Sequence, residues 1–290
     1  MVKEYFQPLT LAEALTILNS FAGSAHVLAS GTDLLVNLRN GKLKPEVIVD
    51  ISKIEELKII SQEDEKLSLG SLVTFRELAV YPMIQKLIPV LAWAAKAVGS
   101  PQIRNRGTVG GNIANASPAA DLVPALVALD GVAVLAKQGG LRKIPLTELI
   151  VAPYKTKLEP GEIITQVEVT VPSHETGMAF RKVGRRNALA ISRLNGACLL
   201  NLKGEEITAV SLVIGAVTPS PRRFKEVEEY LIGKNISEKL LEEAGAMAKE
   251  KVQAITGRRA SSQYKLPVVE RLTVRLLQAA WKGDKAYEGN

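Results

Sequence analysis

Residues 104–121 read RNRGTVGGNIANASPAAD, and the reading of this stretch decides the reading of the chain. Gly110 and Gly111 sit in a run of small and polar residues that passes directly into the apolar segment LVPALVAL. So many small residues before a hydrophobic element suit either a sharp turn or a backbone against which something large must lie. Gly110, Gly111 and Asn112 read as an anion-binding nest, their consecutive N–H groups pointing to one side. Missing Cβ atoms permit close approach and a positive φ. Thr108 and Asn112 add side-chain donors, with Val109 between them. Asp121 stands at the entrance to the apolar segment, where it also suits a plain helix start with Pro118 near its first turn.

The stretch LASGTDLL at 28–35 has the same character. Leu28 and Ala29 end a strand-like run, Ser30, Gly31, Thr32 and Asp33 turn, and Leu34 opens a helical pattern. Free helical N–H groups would face outward there. Two anion sites in one chain fit a diphosphate clamped from two sides. Either stretch alone is also what an ordinary turn looks like, and the spacings do not separate flavin from another phosphate-bearing ligand.

Around these stretches the pattern changes three times. The first fifty residues form a small α/β unit, with Thr10-Leu11-Ala12-Glu13 as a capping-box start and EVIVDI at 46–51 as a strand. From about 57, strand-like KLSLGSLV, a second capping-box pattern at Thr74–Glu77, one buried helix in IQKLIPVLAWAAKAV, and strands in GVAVLA and EIITQVEVTV follow. The polar segment Pro172–Gly177 reads as a boundary. Beyond it GMAFRKVG, ALAISRLNGACLLNL and EITAVSLVIGAV read as three antiparallel strands, followed by helices over 222–231, 237–255 and 264–281. Strands followed by helices indicate an α+β unit.

Composition narrows the function. The chain has 290 residues, two histidines and one cysteine, Cys198, so an internal disulfide and a protein-only thiolate cluster are excluded. No HExxH, GxSxG, Walker A or strand-following GxGxxG pattern occurs, so no catalytic residue or metal ligand is assigned. An organic cofactor positioned by the protein fits better. The net charge of +7 raises nucleic acid as a partner, but the basic pairs are scattered and aromatics are only 4%. Nucleic acid is therefore not expected. Neither is a membrane, because Leu122–Ala136 is short and is interrupted by Asp130 and Gly131. The start lacks a signal-peptide pattern, and the expected location is cytoplasmic.

Together LASGTDLL and TVGGNIANASPAAD resemble the two pyrophosphate loops of the FAD-binding (medium) subunits of molybdenum hydroxylases, the group of xanthine, carbon monoxide and nicotinate dehydrogenases. APYKTKLEPGEIITQVEV and FRKVGRRNALAISRLNGA extend the resemblance over nearly the whole chain. It implies an α+β protein with a two-part, PCMH-type α/β FAD-binding region and a C-terminal antiparallel sheet with a helical bundle. The corresponding divisions are 1–56, 57–173 and 177–284. FAD would lie between the first two parts, contacted by Leu28, Ala29, Ser30, Gly31, Thr32, Asp33, Leu34, Thr108, Val109, Gly110, Gly111, Asn112 and Asp121. The main chain at Ile164 would border the flavin, and Lys182 would approach its pyrimidine end; a solvated basic strand is the plainer reading of Lys182. Implied partners are a molybdopterin-binding large subunit and a [2Fe-2S] small subunit, with NAD as a possible electron acceptor. The resemblance carries departures: Ser30 where many relatives have a second glycine, Val98 where some have an aromatic residue, and no acidic residue at Leu189 and Ala190. An independent FAD-dependent dehydrogenase or oxidase, and a non-catalytic phosphate- or nucleic-acid-binding protein, stay open as alternatives at this point.

Overall fold

A computed structural model describes residues 2–21, 23–186 and 189–283. Thr10 caps the helix Leu11–Ser20 by accepting from the Glu13 N–H, and Glu13 reaches back to the Leu9 N–H rather than to Thr10. That helix buries Ala14 and Leu18 against Val47–Asp50, the centre of a three-stranded parallel sheet flanked by Glu4–Phe6 and Ala25–Leu28. A continuous apolar run suits the middle strand, which is buried on both faces. Leu28 pairs with Asp50, so the 29–33 loop leaves the sheet at its carboxyl edge, where open α/β sheets bind ligands.

The next unit is an antiparallel sheet ordered Ile60–Glu63, Lys66–Gly70, Ile163–Thr170, Val132–Lys137, Gly140–Pro145. Short helices cover it, among them Val109–Asn115 and Leu122–Ala128, the latter buried along its whole length. The single helix expected over 84–98 is instead two, Pro82–Leu87 and Pro89–Ala97. Pro89 lacks an N–H and pushes Ile88 out of helical geometry, so the chain breaks there and restarts with proline at the first helical position.

The last unit is the sheet Gly177–Val183, Leu194–Lys203, Glu206–Gly215 with helices Lys225–Leu231, Glu238–Thr256 and Ser262–Lys282. Side-chain alternation gives the sheet two duties. Ala179, Cys198, Leu212 and Ile214 pack on the helices, whereas Phe180, Ala197, Leu199 and Val213 join the core of the middle unit. The C-terminal sheet is thereby fixed against the middle unit. The second strand begins at Leu194 rather than near 188; Ala188 and Asp284, which the sequence divisions include, lie outside the described residues. No helix among the described residues is long and apolar enough to cross a membrane.

Candidate functional site

In the first loop Leu28 ends its strand, its carbonyl accepting from the Ile51 N–H at 2.9 Å. Gly31 has φ +80°, a conformation that favours glycine, and a Cβ there would also press on the movable Leu35 side chain, 2.6 Å from its Cδ1. The N–H groups of Ser30, Gly31, Thr32, Asp33 and Leu34 donate to no acceptor among the described residues, while the carbonyls of Gly31 and Asp33 accept from Leu35 and Asn37. These N–H groups are left free to meet an acceptor outside the protein. Asp33 is the exception to an all-donor surface. Burial raises its carboxyl above the usual range, and a hydrogen bond with Asn115 partly offsets this. Asn115 is the last residue of the helix Val109–Asn115, so the end of the second loop's helix influences the Asp33 carboxyl.

The second loop differs from the expected nest. Gly110 and Gly111 are helical, and neither has a positive φ. The Gly110 N–H donates to Ser71 O at 2.8 Å, the Gly111 N–H to Thr108 Oγ1 at 3.1 Å, and the Asn112 N–H to Thr108 O at 3.0 Å. The Val109 N–H likewise donates to Val73 O at 2.9 Å. Thr108, buried, acts as the helix cap. The N–H groups read as a nest are consumed in starting a helix and seating it on the 70–73 turn.

What remains open at this loop is side-chain chemistry and space. Ser71 Oγ and Asn112 Oδ1 are buried without a hydrogen-bond partner, which asks for a group not supplied by the protein. The two glycines have separate duties. A Cβ on Gly110 would meet Ser71 Cβ at 2.6 Å, so this glycine serves packing. A Cβ on Gly111 would meet only Thr108 Oγ1, at 2.8 Å, and otherwise point into open space that a bulky ligand could fill.

Asp121 and Lys182, far apart in sequence, meet directly. Lys182 Nζ donates to Asp121 Oδ2 at 2.6 Å and to Ala97 O at 2.7 Å, with both side chains almost fully buried. The solvated-strand reading of Lys182 is thereby excluded. Ser192 Oγ donates to Asp121 Oδ1 at 2.5 Å, and Asn195 Nδ2 to the same oxygen at 2.9 Å. Ile164 is buried beside a bulge in its strand, and the neighbouring Thr165 carbonyl accepts from the Ser71 N–H at 2.9 Å. The segment at Ile164 is thus joined to the second loop through Ser71.

Sequence reasoning did not find Ser71, Ala97, Asn115, Ser192 or Asn195. Asn195 left a trace, a polar residue inside the apolar strand LNGACLL; the others look like ordinary turn or helix residues.

The free N–H groups at 30–34, the Ser71 hydroxyl and the space over Gly111 fit an extended ligand with a diphosphate, whereas Asn112 Oδ1, an acceptor, suits a donor group elsewhere on such a ligand. Residues 1–173 match the family model described as the FAD binding domain in molybdopterin dehydrogenase, and residues 178–280 match the CO dehydrogenase flavoprotein C-terminal domain. The chain belongs to the FAD-binding subunits of the molybdenum hydroxylases. It is 33% identical to the nicotinate dehydrogenase FAD-subunit of Eubacterium barkeri, covering 94% of each chain. It is 31% identical to the glyceraldehyde dehydrogenase medium chain of Sulfolobus acidocaldarius, over 93% of this chain and 95% of that one. In structure it resembles carbon monoxide dehydrogenase from Hydrogenophaga pseudoflava with a TM-score of 0.91 at 28% identity, covering 97% and 98% of the two chains. As a member of this flavoprotein family it is an oxidoreductase subunit whose cofactor is FAD.

Proposed function

We propose that this chain carries electrons within a molybdenum hydroxylase complex, receiving them from [2Fe-2S] clusters on a small subunit and delivering them to a soluble acceptor such as NAD. Substrate oxidation would take place at a molybdopterin-binding large subunit. The observation that carries the reading is the pair of loops: unsatisfied N–H groups at 30–34 in the first and, at the second, the unpartnered Ser71 hydroxyl beside the open space over Gly111. Relatives named as medium chains, FAD-subunits and a complex subunit support the division of labour.

FAD, when bound, supplies a redox centre that accepts and returns electrons. The chain's residues hold it in place. The free N–H groups of Ser30 to Leu34 would donate to its diphosphate, as do the donors of other helix-entry loops. Asn112 and Ser71 complete the polar wall, and Gly111 leaves clearance for it. Leu28 and Ala29 deliver the first loop, while Thr108 and Val109 fix the second. The Ile164 main chain would border the ring, and Asp121 and Lys182 would stand at its pyrimidine end. Lys182 has two of its three protons engaged, which leaves one for the cofactor. A fixed cation there favours the negative charge that reduction brings.

Affinity purification of the tagged chain from its own host, with metal and flavin analysis of what is retained, tests the reading. Molybdenum, iron and flavin in constant ratio, with NAD reduction on addition of substrate, are expected. A lone flavoprotein that oxidises a substrate unaided would overturn the subunit role in favour of an independent flavoenzyme.

A further inference from the structure

The Asp121 carboxylate has an unequal distribution of partners. Oδ1 accepts from both Ser192 Oγ and Asn195 Nδ2, whereas Oδ2 accepts only from Lys182 Nζ. A carboxylate oxygen has two lone pairs, so Oδ1 is saturated and Oδ2 keeps one. Asn195 is itself locked. Its Nδ2 also donates to Ala120 O at 3.0 Å, and Gly215 packs so closely on Oδ1 that any Cβ there would collide with it. Ser192 and Asn195 are buried, so water does not compete for these bonds. Both belong to the C-terminal unit, whereas Asp121 belongs to the FAD-binding region.

We infer that Ser192 and Asn195 are positioning residues that fix the rotation of the Asp121 carboxylate, so that Oδ2 alone is shared between Lys182 and FAD. The inference rests on Asp121 and Lys182 facing the cofactor. Two donors on Oδ1 draw carboxylate charge away from the Lys182 side and prevent the group from turning. With a donor removed, Asp121 turns or presents more negative charge to Lys182, and the net positive field at the flavin falls. FAD binding and flavin potential then change together. The C-terminal sheet, which none of the pyrophosphate-loop residues occupies, thereby tunes the cofactor from across the unit boundary. A residue serving only to dock the C-terminal sheet would affect the fold and leave the potential where it was.

The test uses the full chain loaded with FAD and the variants Ser192→Ala, Ser192→Thr and Asn195→Ala. The midpoint potential is read by spectroelectrochemical titration, the FAD Kd by fluorescence quenching, and the melting temperature alongside. For Ser192→Ala the expected result is an FAD Kd raised about tenfold, or 1.4 kcal/mol, with a potential shifted negative. Ser192→Thr, which keeps the hydroxyl, restores both. Asn195→Ala shifts the potential in the same direction whatever its effect on melting. An unchanged potential in FAD-loaded Ser192→Ala overturns the inference while leaving the electron-transfer reading intact. Absence of FAD from the wild-type chain would instead contradict that reading.

Discussion

Lys182 Nζ lies 2.6 Å from Asp121 Oδ2 in a nearly dry environment, and this ion pair joins the C-terminal sheet to the FAD-binding region. Removing one partner of a buried pair leaves the other charge uncompensated, a loss of about 3 kcal/mol. Lys182→Met is therefore expected to lose stability of that order in urea denaturation, softened by the remaining Ser192 and Asn195 bonds. Adding Asp121→Asn to it removes the stranded charge, so the double variant should be less destabilised than the sum of the singles. Strict additivity would show that the pair contributes nothing jointly. In the FAD-loaded chain Lys182→Met should also lower the flavin midpoint potential, through loss of a fixed cation.

The adjacent glycines should fail in different ways. Gly110→Ala places a Cβ 2.6 Å from Ser71 Cβ and 3.0 Å from Ser71 O, an overpacking that costs about 1–3 kcal/mol of fold stability. Gly111→Val meets only Thr108 Oγ1 and keeps an ordinary helical backbone, so circular dichroism should stay native. Its FAD Kd should rise by at least about 100-fold, or 2.8 kcal/mol. Full FAD occupancy in Gly111→Val would show that the space beside this glycine is not the cofactor's.

Acidification should act in part through Glu162, which immediately precedes the Ile163–Thr170 strand. Burial is the largest single influence and pushes its carboxyl upward. The Arg142 guanidinium, donating at 2.6 and 2.8 Å, and the Glu159 N–H at 2.7 Å together outweigh it and hold the group below the usual carboxylate range. A depressed carboxylate stabilises the fold in full above its unfolded value of 4.5, and the contribution is lost as pH falls through the lower folded value. Stability measured from neutral pH downward should therefore drop below about pH 4.5, and Glu162→Gln should flatten that limb while being less stable at neutral pH. An identical acid limb in the variant would remove Glu162 from the account.

Cys198 is buried between the C-terminal sheet and its helices, and burial, reinforced by the Glu228 charge, pushes its thiol far above the ordinary range. A thiol reagent should leave the native chain untouched and modify one site after denaturation. Rapid modification of the native protein would show that this core opens readily.

Much of this architecture is legible in sequence because local chemistry dictates it. Thr74 and Glu77 form the expected reciprocal cap, and Lys203–Glu205 turns two long strands into a hairpin around Gly204 at φ +64°. The outward donors at 30–34 follow from a strand meeting a helix with Gly31 between. The role of Gly110 was not legible, because whether an N–H is free depends on what lies opposite. Here that is Ser71, some forty residues earlier in the chain, and it takes the proton the nest reading assigned to a ligand. Asp121 and Lys182 were named separately, but their pairing depends on how the C-terminal sheet docks, a relation no local pattern encodes. Ser192 and Asn195 escaped notice for the same reason.

The most direct measurement is an equilibrium titration of the flavin-free chain with FAD, followed by acid precipitation of the complex. The account predicts saturation at one FAD per chain, far weaker binding of FMN, and all flavin in the supernatant after precipitation. No saturable binding, equal affinity for FMN, or flavin retained on the polypeptide would contradict a noncovalent diphosphate clamp between the 28–34 and 108–112 loops.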